Sequence, residues 1–243
     1  MMTIFSNQDK MFREVNDFLS DSSIKPTILH AGELTDSLAS NEGIPIMSRL
    51  VERFGKQKKH TLLLLTKSAN VDGILNLEHN GMTVAAFSVN PNLVADKYEK
   101  SAAIPEDRLR AAEKCIDTGY PVMIRVDPII PVEGWKDAYL ELFDRINSMK
   151  LRGVVVGTIR AFMTLYIQLS DDLKKLLTEK DVDGRRHLPI EQRNEIYDLA
   201  FSKLNTKRIG ICKESGRTWG RLISKHGKRG FICNCYCRAH RKN

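Results

Sequence analysis

Seven polar residues fall where an apolar pattern breaks off, and their types suit one kind of ligand. Glu33 and Thr35 follow the first apolar run, Lys67 the second, Ser88 and Asn90 the third, Asp127 the fourth and Arg160 the fifth. A glutamate accepts hydrogen bonds from an ammonium, a lysine pairs with a carboxylate, and serine or asparagine bonds ribose or carboxylate oxygens. Together they suit a nucleotide that carries an amino acid. A lone lysine at a strand end has a second chemistry, Schiff-base formation, although nothing near Lys67 argues for a carbonyl substrate. Any one of these residues alone is what a loop shows to water. Recurrence at five successive run ends argues for a shared site, with no catalytic residue assigned.

The cysteines form a second constellation. Of the five, Cys233, Cys235 and Cys237 alternate in CNCYC, so an extended segment would turn all three thiols to one side. Cys212, in ICKES, and His240 complete a shell of the kind that zinc or an iron-sulfur centre accepts, an accessory metal site. The usual spacing between paired ligands is two residues, and here it is one, so reduced cytosolic thiols without metal remain the alternative. Cys115 sits on the apolar face of a helix and reads as packing.

The elements that must position these groups are legible from periodicity. Helical spacing links Phe12, Val15, Phe18 and Leu19, then Met47, Leu50, Val51 and Phe54. Short apolar runs at Thr27–Ala31, Thr61–Thr66, Met82–Val89, Val122–Asp127 and Val154–Ile159 predict buried strands. Helices are predicted over Val71–Leu77, Pro105–Thr118, Trp135–Met149, Asp171–Lys180 and Ile190–Leu204. Pro105 fits a first helical turn and Gly119 a helix C-cap. Strands separated by helices make repeated βα units with parallel strands, either a doubly wound open sheet or a full or partial β/α barrel. In both, ligands bind at the carboxyl ends of the strands.

Charge divides the chain unevenly. Residues 203–243 carry a net +11, and the remainder −3. A segment this basic, with Trp219, Phe231 and Tyr236 between its charges, suits a nucleic-acid partner; a merely solvated tail is the alternative. The expected domains are 1–205 and a small basic, cysteine-bearing module at 206–243. No apolar run is long enough to span a bilayer and the first residues lack a secretory pattern, so the expected location is the cytoplasm, with no membrane partner.

The blocks GELTDSL, LTKSANVD, FSVN followed by KYE, RLRAAEKCIDTGYPV and DPIIPVEGW are similar in order and spacing to those of the spore photoproduct lyase family of radical-SAM enzymes. The resemblance runs from Ile4 to Phe162 and more weakly into HLPIEQRNEIY. It implies an α/β fold, a partial radical-SAM (β/α) barrel lacking its first βα unit. It also implies two cofactors, S-adenosylmethionine and a [4Fe-4S] cluster, and an external electron donor. The reaction implied is reductive cleavage of S-adenosylmethionine to a 5′-deoxyadenosyl radical that abstracts hydrogen from a nucleic-acid or nucleotide-like substrate. By position, Glu33 would hold the methionine amino group and Lys67 and Ser88 its carboxylate, with Thr35 and Asp127 lining the rest.

Two departures accompany the resemblance. The cluster motif CxxxCxxC occurs nowhere in the chain, and the family places it upstream of the segment resembling TIFSNQDKMFREVNDFL. The expectation is therefore a chain shortened at its N-terminus, with the cluster ligands upstream. A non-catalytic nucleic-acid-binding protein on a clusterless barrel is the alternative. Glu33 also stands where the lyase carries its hydrogen-donor cysteine, which instead resembles the GGE-type motif that binds the methionine amino group.

Overall fold

The computed structural model describes residues 7–32, 35–36, 38–39, 44–181 and 184–227. In chain order its elements begin with α1 (Gln8–Ser20), β1 (Ile28–Ala31), α2 (Ile44–Gly55), β2 (Thr61–Thr66), β3 (Thr83–Ser88) and α3 (Asn92–Tyr98). Next come α4 (Pro105–Asp117), β4 (Val122–Ile129), α5 (Trp135–Asn147), β5 (Gly153–Thr158), β6 (Arg160–Ala161) and α6 (Met163–Tyr166). The last are α7 (Asp171–Leu176), β7 (Glu179–Lys180), β8 (Arg186–His187), α8 (Ile190–Lys203), β9 (Ile209–Ile211) and α9 (Gly216–His226). Two compact units result, one of residues 1–88 and 101–123, the other of 89–100 and 124–243.

In the first unit β1, β2 and β3 pair in parallel, with Ile28 opposite Thr61 and Leu62 opposite Thr83. Ala85 N donates to Pro121 O at 3.0 Å, where β4 is about to begin. Every residue of β3 is buried, and in β2 only Thr61 and Leu65 are partly exposed. Parallel strands covered on both faces must be apolar throughout, which explains the unbroken run TLLLLT. Helix α2 covers them with Met47, Leu50, Val51 and Phe54, the stripe that its spacing predicts. Phe12 of α1 is buried beneath the guanidiniums of Arg49 and Arg53, 3.8 and 4.3 Å from its ring centroid. One predicted helix does not form: Val71–Leu77 is a succession of turns. Val71 and Ile74 are still buried, but Gly73 and Asn76 are poor helix formers, and isolated turn bonds such as Ile74 N to Val71 O replace a ladder.

In the second unit β9 pairs in parallel with β5, Val154 lying opposite Ile209. The strand order there is β4, β5, β9. Helix α8 packs on β5, α5 and α9 through Ile196, Tyr197, Ala200 and Phe201. Strands β6, β8 and β7 form a separate antiparallel sheet. That sheet shortens the helix predicted over Asp171–Lys180, because Glu179 and Lys180 pair with β8 instead. Residues 206–227, expected to belong to an irregular terminal module, supply β9 and α9 of this unit; residues 228–243 lie outside the described residues. Among the described residues, no helix is long and apolar enough to cross a membrane.

Candidate cofactor-binding site

At the end of β1 the chain turns through Gly32, whose φ is +97°. A Cβ there would meet Leu65 O at 2.0 Å, so only glycine lets the loop leave against the backbone of β2. Glu33, next in sequence, lies outside the described residues. Thr35 is exposed, and Asp36 beside it binds the loop to the end of β2. Its carboxylate accepts from Thr66 Oγ1 at 2.7 Å, from Lys67 N at 2.6 Å and from Leu38 N at 3.0 Å. Lys67 O accepts from Ala103 N at 3.2 Å, so the main chain of this half-buried lysine is held on both sides. Ser88 closes β3, 5% exposed, and its carbonyl accepts from Arg108 Nη1 at 2.9 Å. Arg108, fully buried, also donates through Nε to Ala103 O at 2.6 Å. Thr35, Lys67 and Ser88 thus sit at the carboxyl ends of three neighbouring parallel strands. Asp36 and Arg108, the residues that fix these ends, carry no periodic signal; Asp36 is visible only as part of GELTDSL.

Asn90 and Asp127 belong to the second unit, where their polar atoms are already engaged. Asn90 donates to Glu99 Oε1 at 2.9 Å and accepts from the Tyr139 hydroxyl at 2.9 Å, while that hydroxyl accepts from Ile130 N. Asp127 lies within β4, which continues to Ile129. Arg160 reaches its two oxygens at 2.9 and 3.2 Å, and Arg125 reaches Oδ2 through Nε and Nη2 at 3.1 and 2.9 Å. Burial alone would raise the carboxyl's pKa, but the charge of Arg160, then that of Arg125, holds it well below the usual range. Gly157 leaves the room: a Cβ there would lie 2.3 Å from Asp127 Oδ1. A second buried carboxylate, Glu214, accepts from Arg193 Nη1 at 3.0 Å and from the Tyr197 hydroxyl at 2.8 Å. Burial, then the neighbouring Glu214 charge, raises Tyr197 well above the ordinary range, so it stays a donor.

Cys212, expected among the metal ligands, is fully buried, with Arg125 Nη2 3.0 Å and Arg160 Nη2 3.4 Å from its sulfur. Two guanidiniums at that range occupy the sulfur and oppose a metal cation by Coulomb repulsion. Cys233, Cys235 and Cys237 lie outside the described residues. Cys115 is packing: it is fully buried, and burial pushes its thiol up to about 12. Among the described residues no group of His, Cys, Asp or Glu is arranged to hold a metal ion. No CxxxCxxC occurs in the sequence, and among the described residues no cysteine group fits a [4Fe-4S] cluster. Lys67 and Ser88 bring an ammonium and a hydroxyl to two neighbouring strand ends, groups of the kind that bond a carboxylate.

A family model described as spore photoproduct lyase matches residues 1–195. The chain is 27% identical over 144 residues to the spore photoproduct lyase of Bacillus subtilis (strain 168), covering 59% of this chain and 42% of that one. It is 28% identical over 177 residues to that of Geobacillus sp. (strain Y412MC61), covering 73% and 51%. The chain thus spans about half the length of these curated relatives. A solved spore photoproduct lyase complexed with dinucleoside spore photoproduct superposes with a TM-score of 0.70 at 20% identity, over 94% of this chain and 67% of that one. Another, with bound AdoMet and the same dinucleoside, gives 0.66 at 21%, with the same coverage. These likenesses establish the fold, the partial parallel (β/α) barrel expected from the sequence. With most of its length matched by the family model, the chain belongs to the spore photoproduct lyase family of the radical-SAM superfamily.

Proposed function

We propose that this chain is the S-adenosylmethionine-binding portion of a radical-SAM enzyme acting on a nucleic-acid or nucleotide-like substrate. The observation that carries the reading is the alignment of Thr35, Lys67 and Ser88 at three adjacent parallel strand ends, with Asp36 clamping the first loop to the second strand. Lys67 would pair the methionine carboxylate, Ser88 would hydrogen-bond it, Glu33 would take the amino group, and Thr35 would line the nucleotide. Asn90 and Asp127, engaged by Tyr139, Glu99 and the two arginines, are proposed to hold the strand ends of the second unit. The bound cofactor would supply hydrogen-abstraction chemistry once reduced. Reduction would need the three thiolates of a CxxxCxxC motif, which the sequence lacks, so the activity would require a further segment to supply them, together with an external electron donor. The basic residues 203–243 would contact the nucleic acid, and the location is the cytoplasm. An accessory zinc or iron-sulfur centre would rest on Cys233, Cys235 and Cys237, with Cys212 committed to its arginines.

The uneven charge favours one other reading, a non-catalytic nucleic-acid-binding protein on a barrel without a cluster. Isothermal titration of S-adenosylmethionine into the 243-residue chain separates the two. The enzyme reading expects saturable binding that Lys67→Ala weakens about tenfold, or ~1.4 kcal/mol. Absence of binding to the parent chain favours the non-catalytic reading, and equal affinity in the variant removes Lys67 from the site.

A further inference from the structure

The second unit holds another cluster of cations, at the opposite ends of its strands. Register places Val154 of β5 beside Ile209 of β9 in a parallel pair. Just before that ladder, Arg208 O accepts from Val154 N at 2.9 Å, which brings the segment ending in Lys207 and Arg208 beside the one ending in Arg152 and Gly153. These three cations line a cavity of about 370 Å³ whose lining contains no carboxylate. None of the three forms an ion pair among the described residues. Although Arg152 reaches solvent, partial burial and then the charge of Arg208 lower its proton affinity from the ordinary value.

The walls of this surface cavity are held by hydrogen bonds. Asn147, from the end of α5, donates to Lys203 O at 2.9 Å and accepts from Asn205 N at 2.8 Å, clamping the loop that enters β9. Thr206 Oγ1 accepts from Arg208 N at 3.2 Å, and Arg208 O accepts from Val154 N at 2.9 Å. The backbone that carries Lys207 and Arg208 is thus fixed before any ligand arrives, which lowers the entropic cost of binding.

We propose that Arg152, Lys207 and Arg208 form an anion site for a phosphate group, distinct from the strand-end residues assigned above and independent of that assignment. Guanidinium forks bind phosphate oxygens through paired hydrogen bonds, and the lysine adds a point charge. The phosphate comes either as a free phosphate ester or as the diester of a nucleic-acid backbone.

Thermal unfolding of the full chain at constant ionic strength, with chloride replaced stepwise by inorganic phosphate, tests the site. The parent protein's Tm rises with phosphate; the double variant Arg152→Gln, Arg208→Gln keeps its Tm in chloride and loses the rise. Lys207→Gln, a second variant on an exposed side chain, reduces it. No rise in the parent, or an equal rise in the double variant, overturns the proposal. A labelled oligodeoxythymidylate then identifies the source. If the diester is the ligand, the double variant lowers the slope of log affinity against log salt by ~0.7, one single-strand phosphate. An unchanged slope alongside a lost phosphate response assigns the site to a free ester.

Discussion

Two sets of cations in the second unit are handled in opposite ways. Toward the carboxyl ends of β4, β5 and β9, Arg125 and Arg160 share Asp127, and Arg193 is met by Glu214. At the amino ends of β5 and β9, Arg152, Lys207 and Arg208 share a cavity with no acid in its lining. The difference follows from burial. The side chains of Arg125 and Asp127 are only 7% and 6% exposed, and a charge removed from water that far must be matched within the fold. Arg152, Lys207 and Arg208 each reach solvent, so the fold tolerates them unmatched and a ligand can complete them. The matched cluster is thus part of the architecture, and the unmatched one is where the proposed anion would bind.

The comparison is broken most directly at Asp127. Asp127→Ala leaves two buried guanidiniums without their shared carboxylate and should cost about 3–5 kcal/mol, read by denaturant unfolding. A loss no larger than that of an ordinary surface substitution would mean that the arginines are compensated elsewhere. Asp36 is an intermediate case, a half-buried carboxylate matched, among the described residues, by neutral donors rather than by a cation. Asp36→Ala should cost about 1–2 kcal/mol and weaken S-adenosylmethionine binding, because it frees the loop that carries Thr35.

His60 shows a third way of burying a titratable group, which is to keep it neutral. It is fully buried, its ring centroid lies 4.8 Å from that of Phe18, and neither ring nitrogen has a hydrogen-bond partner among the described residues. Burial first, then the charge of Lys59, lowers its pKa below the ordinary 6.5. The unfolded chain then binds the proton more readily, so stability is full above pH 6.5 and falls as pH drops through that value toward the lower folded one. Tm measured against pH should show this loss in the parent and a flatter profile in His60→Phe. The smallest effect is expected at the unmatched cluster, where Arg152→Gln with Arg208→Gln should change stability in phosphate-free buffer by no more than ~0.5 kcal/mol.

Much of the frame was legible because parallel strands buried on both faces must be apolar runs, as β2 to β5 largely are; a fifth run became β1, whose residues are exposed or half-buried. The elements that periodicity missed are short or compositionally disguised. Strand β9 is the three residues Ile209–Ile211, and α9 carries Trp219 and Leu222 on its buried face between Gly216, Gly220 and a row of basic residues. Positions of site residues were legible as interruptions of the runs, and Lys67 and Ser88 do stand at strand ends. Their supports were not legible: Asp36 reaches Lys67 across 31 residues and Arg125 reaches Cys212 across 87, separations that no local pattern encodes.

Hydrogen exchange of the full chain with and without S-adenosylmethionine tests the central claim most directly. Binding at the carboxyl ends of the first unit's strands predicts slowed exchange in residues 32–39, 66–70 and 88, with 151–153 and 205–208 unchanged. Protection confined to 151–153 and 205–208, or none anywhere, would contradict it.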